Sequence, residues 1–161
     1  MEKMKILFVC MGNICRSPAA EAILKSLAEK EKLSDSLEIA SAGTIDSHKG
    51  EGPDPRMKFH AAGRGYFLKS IARKFDPNVD FEKFDYIIAM DNDIYTEINR
   101  LDRGNQYTSK IHKMTEYKRL IDEDEVPDPF LGGKGGFEKV LDVLTDACRG
   151  LLKKLKDELN Q

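Results

Sequence analysis

The first apolar run of the chain is short and ends at a cysteine. Residues 5–10 read Lys-Ile-Leu-Phe-Val-Cys, which is typical of a buried parallel strand. Gly12 and Asn13 follow and predict a tight loop. Pro18 suits the first turn of a helix, because the amide that proline lacks would have no partner there. Apolar positions predict that this helix continues to about residue 31. The chain therefore opens with a strand, a loop and a helix.

Predicted strands and helices alternate along the rest of the chain. Strands are predicted at residues 37–42, 85–90 and 111–114, and a short extended piece at 67–71. Asp54 is placed to cap a short helix, and Asp91 or Asn92 to cap the helix after the strand at 85–90. Strands that alternate with helices indicate parallel crossover units and therefore an α/β fold.

A long amphipathic helix is predicted at residues 137–159, after a loop at 122–136 that is acidic and then rich in proline and glycine. We find no internal repeat or linker, so we expect a single domain over residues 1–161. Ligands of open parallel sheets bind at the carboxyl ends of the strands. This rule points to the loop at residues 10–17.

Composition narrows the function classes. The 26 basic and 28 acidic residues give a net charge of -2, without the basic excess of a nucleic-acid-binding protein. The sequence has no apolar run near the roughly 20 residues that span a membrane, and no pattern of a signal peptide, so we expect a cytoplasmic location. Three cysteines are too few for a disulfide scaffold and lack the spacing of a zinc site. Of these, Cys148 lies in the apolar stripe of the last helix, as a core residue would.

The loop after the first strand combines a cysteine with an arginine six positions later. Inward-pointing amides and the start of the next helix would form a cradle for an anion. Arg16 would bind two phosphate oxygens through its planar guanidinium, and the same groups would favour the thiolate of Cys10, the nucleophilic form. A Cys-x5-Arg pair alone also occurs in inert loops. The preceding strand, Gly12-Asn13 and the following Ser17-Pro18 favour the catalytic interpretation.

Asp128 lies between two prolines, just before the glycine-rich stretch 132–136. Loops on a rigid scaffold often carry catalytic groups, and a phenolate leaving group benefits from an acid. An aspartate between prolines is also typical of a plain turn, so the residues alone leave both interpretations open.

At these residues the chain resembles the low-molecular-weight protein tyrosine phosphatases. The resemblance is carried by the segments 9–18 (VCMGNICRSP), 128–130 (DPF), 41–44 (SAGT), 53–56 (PDPR) and 90–91 (MD), and covers essentially the whole chain. It implies a doubly wound, four-stranded parallel sheet with helices on both faces. It also implies a cysteine-dependent phosphatase without metal or organic cofactor.

The resemblance assigns roles to residues. Cys10 would be the nucleophile, Arg16 the phosphate clamp, and Asp128 the general acid and then the base. Asn13 would brace the cradle with Ser41 as its partner, and Ser17 would donate to the sulfur of Cys10. The implied substrate-binding residues are Met11, Gly12, Asn13, Ile14, Cys15, Ser17 and Phe130. The implied partners are phosphotyrosine-containing proteins, with inorganic phosphate as product and inhibitor, and the chain would be a monomer or weakly self-associating.

In this family a second cysteine in the cradle can form a reversible, protective disulfide with the nucleophile, and the resemblance extends this expectation to Cys15. Two positions depart from the family. Ser47 stands where an aromatic wall is frequent, which predicts a more open or more polar cleft, with His48 either facing substrate or at the surface. Phe130 and Leu131 replace two tyrosines that many members carry, which removes regulation by their phosphorylation.

Three other functions fit the sequence less well. Arsenate reductases of related fold need further cysteines for a disulfide relay, and the sequence has none between Cys15 and Cys148. Protein-arginine phosphatases of the family typically carry threonine at the position of Ile14, whose bulk suits an aryl ester better. A phosphate-binding module without activity would not need Cys10 or Asp128.

Overall fold

A computed structural model describes residues 2–130 and 136–161. Its sheet has four parallel strands in the order β2-β1-β3-β4. The strands are β1 (Met4–Cys10), β2 (Leu37–Gly43), β3 (Tyr86–Ala89) and β4 (Ile111–Lys113). The helices are α1 (Arg16–Lys30), α2 (Pro55–Ala62), α3 (Asp80–Lys83), α4 (Asn92–Leu101) and α5 (Gly136–Leu159).

The two faces of the sheet are covered by different helices. Alternate β1 residues Ile6, Phe8 and Cys10 pack in a core with α1 and α5, whereas Leu7 and Val9 pack on the opposite side with α3 and α4. Period-two alternation explains this division, because successive side chains of a strand point to opposite faces. The structure thus confirms the predicted doubly wound α/β sheet.

The strand order places a switch of direction beside β1. The chain runs from β1 outward to β2 and then crosses back to β3 on the other side of β1. In such sheets, the crevice at the carboxyl ends beside the switch point is the usual ligand site. The loops after Cys10 and after Ala89 meet at this point, because Val9 pairs with Ala89.

Most predicted elements are confirmed within a few residues. Asp54 and Asp91 cap α2 and α4, each accepting backbone hydrogen bonds through its carboxylate. The extended piece expected at 67–71 is not a strand. The isolated bridge to Gly43 of β2 lies further along, at Lys74, and the backbone of Ala72 bonds to Gly50 and Glu51 of the preceding loop. The end of the predicted loop, at 131–135, lies outside the described residues.

Within residues 2–130 and 136–161, no helix has the length and apolar character needed to cross a membrane. The same residues contain no cluster of three or more histidine, cysteine or acidic side chains that could hold a metal ion.

Candidate active site

The sulfur of Cys10 sits at the carboxyl end of β1, with only 3% of the residue exposed. It lies 2.9 Å from the hydroxyl of Ser17 in the first turn of α1. The Ser17 oxygen already accepts a hydrogen bond from Nδ2 of Asn13 at 2.8 Å. Because a thiolate can only accept, an ionised Cys10 would take the hydroxyl hydrogen of Ser17, which is the role that the resemblance implies for this serine.

The loop between β1 and α1 directs its carbonyl groups outward. The oxygens of Cys10, Met11 and Ile14 accept from the amides of residues 44, 45 and 54, at 3.0, 3.1 and 2.7 Å. A trans peptide places each carbonyl opposite the next amide, so the amides of residues 11, 12 and 15 point into the loop. Within the described chain these three amides have no acceptor. Such convergent donors are what an anion cradle requires.

Asn13 shapes the cradle from inside. Its backbone adopts the left-handed conformation, with φ of 58°, which asparagine tolerates better than most residues. Its side chain is buried, and Oδ1 accepts from the amide of Arg73 at 3.0 Å. The expected partner Ser41 is wrong, because Ser41 donates to Glu21 of α1 at 2.7 Å. Ser41 lies two residues before the end of β2, so it is about 7 Å below the cradle and level with the second turn of α1.

Gly43 permits the close packing of the cradle against β2. A Cβ atom at this position would lie 2.7 Å from the carbonyl oxygen of Met11 and 3.1 Å from the backbone nitrogen of Asn13. Both neighbours are backbone atoms, so neither can rotate away. A side chain here would push the cradle outward.

The guanidinium of Arg16 is held from behind. Its Nη1 donates to Oδ2 of Asp91 at 2.8 Å and to the carbonyl of Val126 at 3.1 Å, and the residue is 7% exposed. In the described part of the chain, Nε and Nη2 have no hydrogen-bond partner. This edge of the guanidinium is available for the two-oxygen contact that suits phosphate.

Asp128 lines the same cleft as Cys10 and Arg16. One carboxylate oxygen accepts from the amide of Phe130 at 2.9 Å, which holds the loop in a tight turn. Phe130 borders the cleft and is 48% exposed. Leu131 and residues 132–135 of the glycine-rich stretch lie outside the described residues.

The wall beside the cradle consists of Ile45 and His48, whereas Ser47 does not line the cleft. The ring of His48 lies close to the cradle, since a Cβ at Gly12 would be 3.0 Å from its Cδ2. Its Nδ1 is 2.9 Å from a carboxylate oxygen of Glu51. His48 therefore both faces the cleft and reaches the surface.

Cys15 differs from Cys10 in its electrostatic setting. Burial raises the pKa of the Cys15 thiol well above its ordinary value, and the nearby Cys10 and Asp54 raise it further. Cys15 is therefore a neutral thiol near pH 7.

A sequence model of one protein family, the low molecular weight phosphotyrosine protein phosphatases, matches residues 5–161. The chain belongs to this family. A Synechocystis protein provisionally described as a low molecular weight protein-tyrosine-phosphatase is 46% identical over 97% of this chain and 99% of its own. Membership in the low molecular weight phosphatase family confirms the expected enzyme class, protein-tyrosine-phosphatase.

Solved structures of the low molecular weight phosphatase family agree in fold. The crystal structure of a protein tyrosine phosphatase from Entamoeba histolytica, with Hepes in its active site, superposes with a TM-score of 0.92 at 46% identity. It covers 97% of this chain and 99% of that one. A structure described as a drosophila arginine phosphatase superposes with a TM-score of 0.86 at 35% identity, covering 95% and 98% of the two chains.

One cleft brings together Cys10, Arg16 and Asp128 with most of the predicted substrate-binding residues. Its lining includes Met11, Gly12, Ile14, Cys15 and Phe130, while Asn13 and Ser17 stand behind it. Sequence reasoning missed the contact of Asp91 with Arg16 and the wall residue Ile45. Their positions just after β3 and β2, at the carboxyl edge of the sheet, are the signal that could have identified them.

Proposed function

We propose that this protein hydrolyses phosphotyrosine in proteins through a phosphocysteine intermediate, as a single domain over residues 1–161. The observation that carries the proposal is the cradle itself. Three of its carbonyls accept hydrogen bonds from outside the loop, which turns the amides that follow them inward, and the sulfur of the buried Cys10 lies 2.9 Å from the hydroxyl of Ser17.

The first step places the phosphate dianion on the cradle amides, with two oxygens on the free edge of Arg16. The thiolate of Cys10 attacks phosphorus in line, forming the S–P bond as the bond to the phenolic oxygen breaks. Negative charge on the equatorial oxygens is stabilised by the amides and the guanidinium. The salt bridge to Asp91 keeps that guanidinium in place during the transfer.

Asp128 supplies the proton that the leaving phenolate takes up. A phenol has a pKa near 10, so its departure as the neutral alcohol is easier by about 10²- to 10⁴-fold. The location of Asp128 in the same cleft as Cys10 suits this role. In the second step the carboxylate accepts a proton from water, which attacks phosphorus and breaks the S–P bond. The products are inorganic phosphate and the free thiolate, and phosphate is expected to inhibit by rebinding the cradle.

Phosphoarginine is the second candidate substrate, because one similar structure is described as an arginine phosphatase. Beside the polar His48 and Asp128, the cleft is lined by the apolar side chains of Ile14, Ile45 and Phe130, which match a phenyl ring better than a guanidinium. We therefore favour the aryl ester.

The test is phosphate release from a phosphotyrosine peptide and a phosphoarginine peptide of the same sequence. Phosphotyrosine should be the better substrate, and Cys10→Ser should abolish turnover. Cys148→Ser serves as the matched control, because that cysteine is equally buried but far along α5. A wild-type protein that releases phosphate only from phosphoarginine would overturn the proposed substrate. A protein active on neither would overturn the enzyme mechanism.

A further inference from the structure

Aromatic rings continue from the rim of the cleft across the neighbouring surface. Phe130 contacts Phe137 edge to face at 5.9 Å between ring centroids. Phe137 stacks on His60 at 5.4 Å, and His60 meets Phe59 edge to face at 5.6 Å. We call these four residues the aromatic ridge. It joins the predicted substrate cleft to the outer side of α2.

The outer end of the ridge is strongly exposed. Phe59 is 76% accessible, although the helix that carries it contributes Met57 and Ala61 to the core. Residues 57 and 61 are one turn apart on the same side of α2, whereas residue 59 lies on the opposite side. Core packing therefore does not explain this phenylalanine. An exposed aromatic continuous with a substrate cleft is typical of an interaction surface.

Two polar side chains that touch the rings of the ridge, Arg56 and His60, already have carboxylate partners. Arg56 lies over the rings of Phe130 and Phe137, at 4.8 and 5.2 Å from their centroids, and its guanidinium binds the carboxylate of Asp54. His60 is paired with Glu138. Among the described residues, the ridge therefore offers the exposed rings of Phe59 and Phe130 beside side chains that already have partners. Such a surface fits an apolar side chain better than an acidic one.

We propose that the aromatic ridge binds an apolar side chain of the protein segment that carries the phosphotyrosine. The inference rests on the proposed function and names a feature of its substrates. Continuity with the cleft identifies the occupant, because a substrate chain that leaves Phe130 meets the ridge next. An extended chain advances about 3.3–3.6 Å per residue, so the three ring-to-ring steps correspond to at most about five residues.

A second copy of this chain is the competing occupant. Self-association depends on protein concentration, whereas substrate binding depends on peptide sequence, so the two occupants can be distinguished. Self-association through Phe59 would appear as a dimer in sedimentation and would vanish in Phe59→Ala. Substrate binding would appear in the kinetics of peptides of different sequence at concentrations where the protein is monomeric.

The experiment uses phosphotyrosine peptides in a serine and glycine background, with one leucine moved through about five positions on either side. We expect leucine at one or two positions to raise kcat/KM by about three- to tenfold for the wild type. Phe59→Ala should remove that gain and Phe59→Leu should retain most of it. Phe67→Ala is the matched control, because Phe67 is 65% exposed but lines a separate groove against α1.

The small ester p-nitrophenyl phosphate separates the two proposals. For each variant, kcat/KM for a peptide is divided by kcat/KM of the same variant for the ester, so that effects on the chemical step cancel. Normal ester hydrolysis with no preference for leucine, or an equal loss in Phe67→Ala, overturns the ridge proposal alone. A dimer that Phe59→Ala dissociates, without a peptide preference, assigns the ridge to a second copy and also overturns it. Absence of ester hydrolysis overturns both proposals.

Discussion

Asp91 binds Arg16 and caps α4 at the same time. Its Oδ2 accepts from Nη1 of Arg16 at 2.8 Å, and its Oδ1 accepts from the amide of Ile94 at 2.8 Å. One carboxylate thus fixes the guanidinium relative to the helix that follows β3. The orientation of the predicted phosphate clamp depends on this residue, which itself does not line the cleft.

Asp91→Asn should therefore impair catalysis more than folding. Asparagine has one acceptor oxygen, which can keep the cap on the amide of Ile94, so the thermal midpoint should fall less than the activity. Its NH2 group then faces Nη1 of Arg16, and the guanidinium loses its charged partner. We expect kcat/KM for p-nitrophenyl phosphate to fall about tenfold and the inhibition constant of phosphate to rise. Asp93→Asn, at an exposed position of the same turn, is the control. Unchanged kinetics in Asp91→Asn would show that the function of Arg16 does not depend on its ion pair with Asp91.

Asp128→Asn tests the general acid through the leaving group. Loss of the acid should slow turnover of phenyl phosphate by about 10²- to 10⁴-fold. The loss should be far smaller for 2,4-dinitrophenyl phosphate in single-turnover formation of the phosphoenzyme, because its phenolate leaves without a proton. Asp122→Asn provides the control in the same loop, since its side chain is fully exposed. An equal loss for both esters would argue that Asp128 only shapes the loop.

Cys15 should protect the enzyme against oxidation. Peroxide would convert the Cys10 thiolate to a sulfenic acid, and the Cys15 thiol would displace water to form a disulfide. Inactivation of the wild type by peroxide should then be reversed by dithiothreitol. In Cys15→Ser the sulfenic acid would proceed to irreversible products, while Cys148→Ser should behave like the wild type. Wild-type inactivation that thiols cannot reverse would contradict the disulfide.

Asp146 should stabilise the fold in a pH-dependent way. Burial alone raises its pKa, but hydrogen bonds from the amides of Arg119, Ile121 and Leu120, at 2.8 to 3.2 Å, outweigh this and hold the pKa below its ordinary value. The contribution to stability is therefore complete above the ordinary carboxyl pKa of about 3.9 and is lost as the pH falls through the lower folded value.

Asp146→Asn should lower the free energy of unfolding in urea by about 1–3 kcal/mol at about pH 7. The difference from the wild type should shrink as the pH is lowered below about 4. Asp157→Asn, exposed on the same helix, should cost little at either pH. A difference that stays constant with pH would mean that the charge of Asp146 contributes nothing.

The fold was largely predictable because its signals are local. The apolar run that ends at Cys10, the proline at position 18 and the aspartate caps each depend on neighbours within a few residues. At 67–71 the sequence indicated a short extended piece, and the structure has neither helix nor strand there. The chain pairs with the sheet at Lys74, opposite Gly43 of β2, and the local pattern does not reveal so distant a partner.

The part of the site that lies in one continuous loop was predictable from the sequence. Cys10, Arg16 and Ser17 lie within eight consecutive residues, so the strand and helix around them fix their geometry. The partner of Asn13 was predicted wrongly because it is the backbone amide of Arg73, sixty residues away. A backbone amide is present at almost every position, so no residue type marks this contact.

Backbone amides also hold the outward carbonyls of the cradle. The shape of the cradle therefore depends on main-chain atoms, whereas the cleft wall is made of side chains. The amide of Ile45 fixes the oxygen of Met11, while the side chain of the same residue forms part of the cleft wall. Any side chain except proline leaves that donor in place. The wall at position 45 can thus be altered by substitution while the anion cradle keeps its shape. Position 45 therefore combines a main chain that holds the loop with a side chain that is free to change the cleft wall.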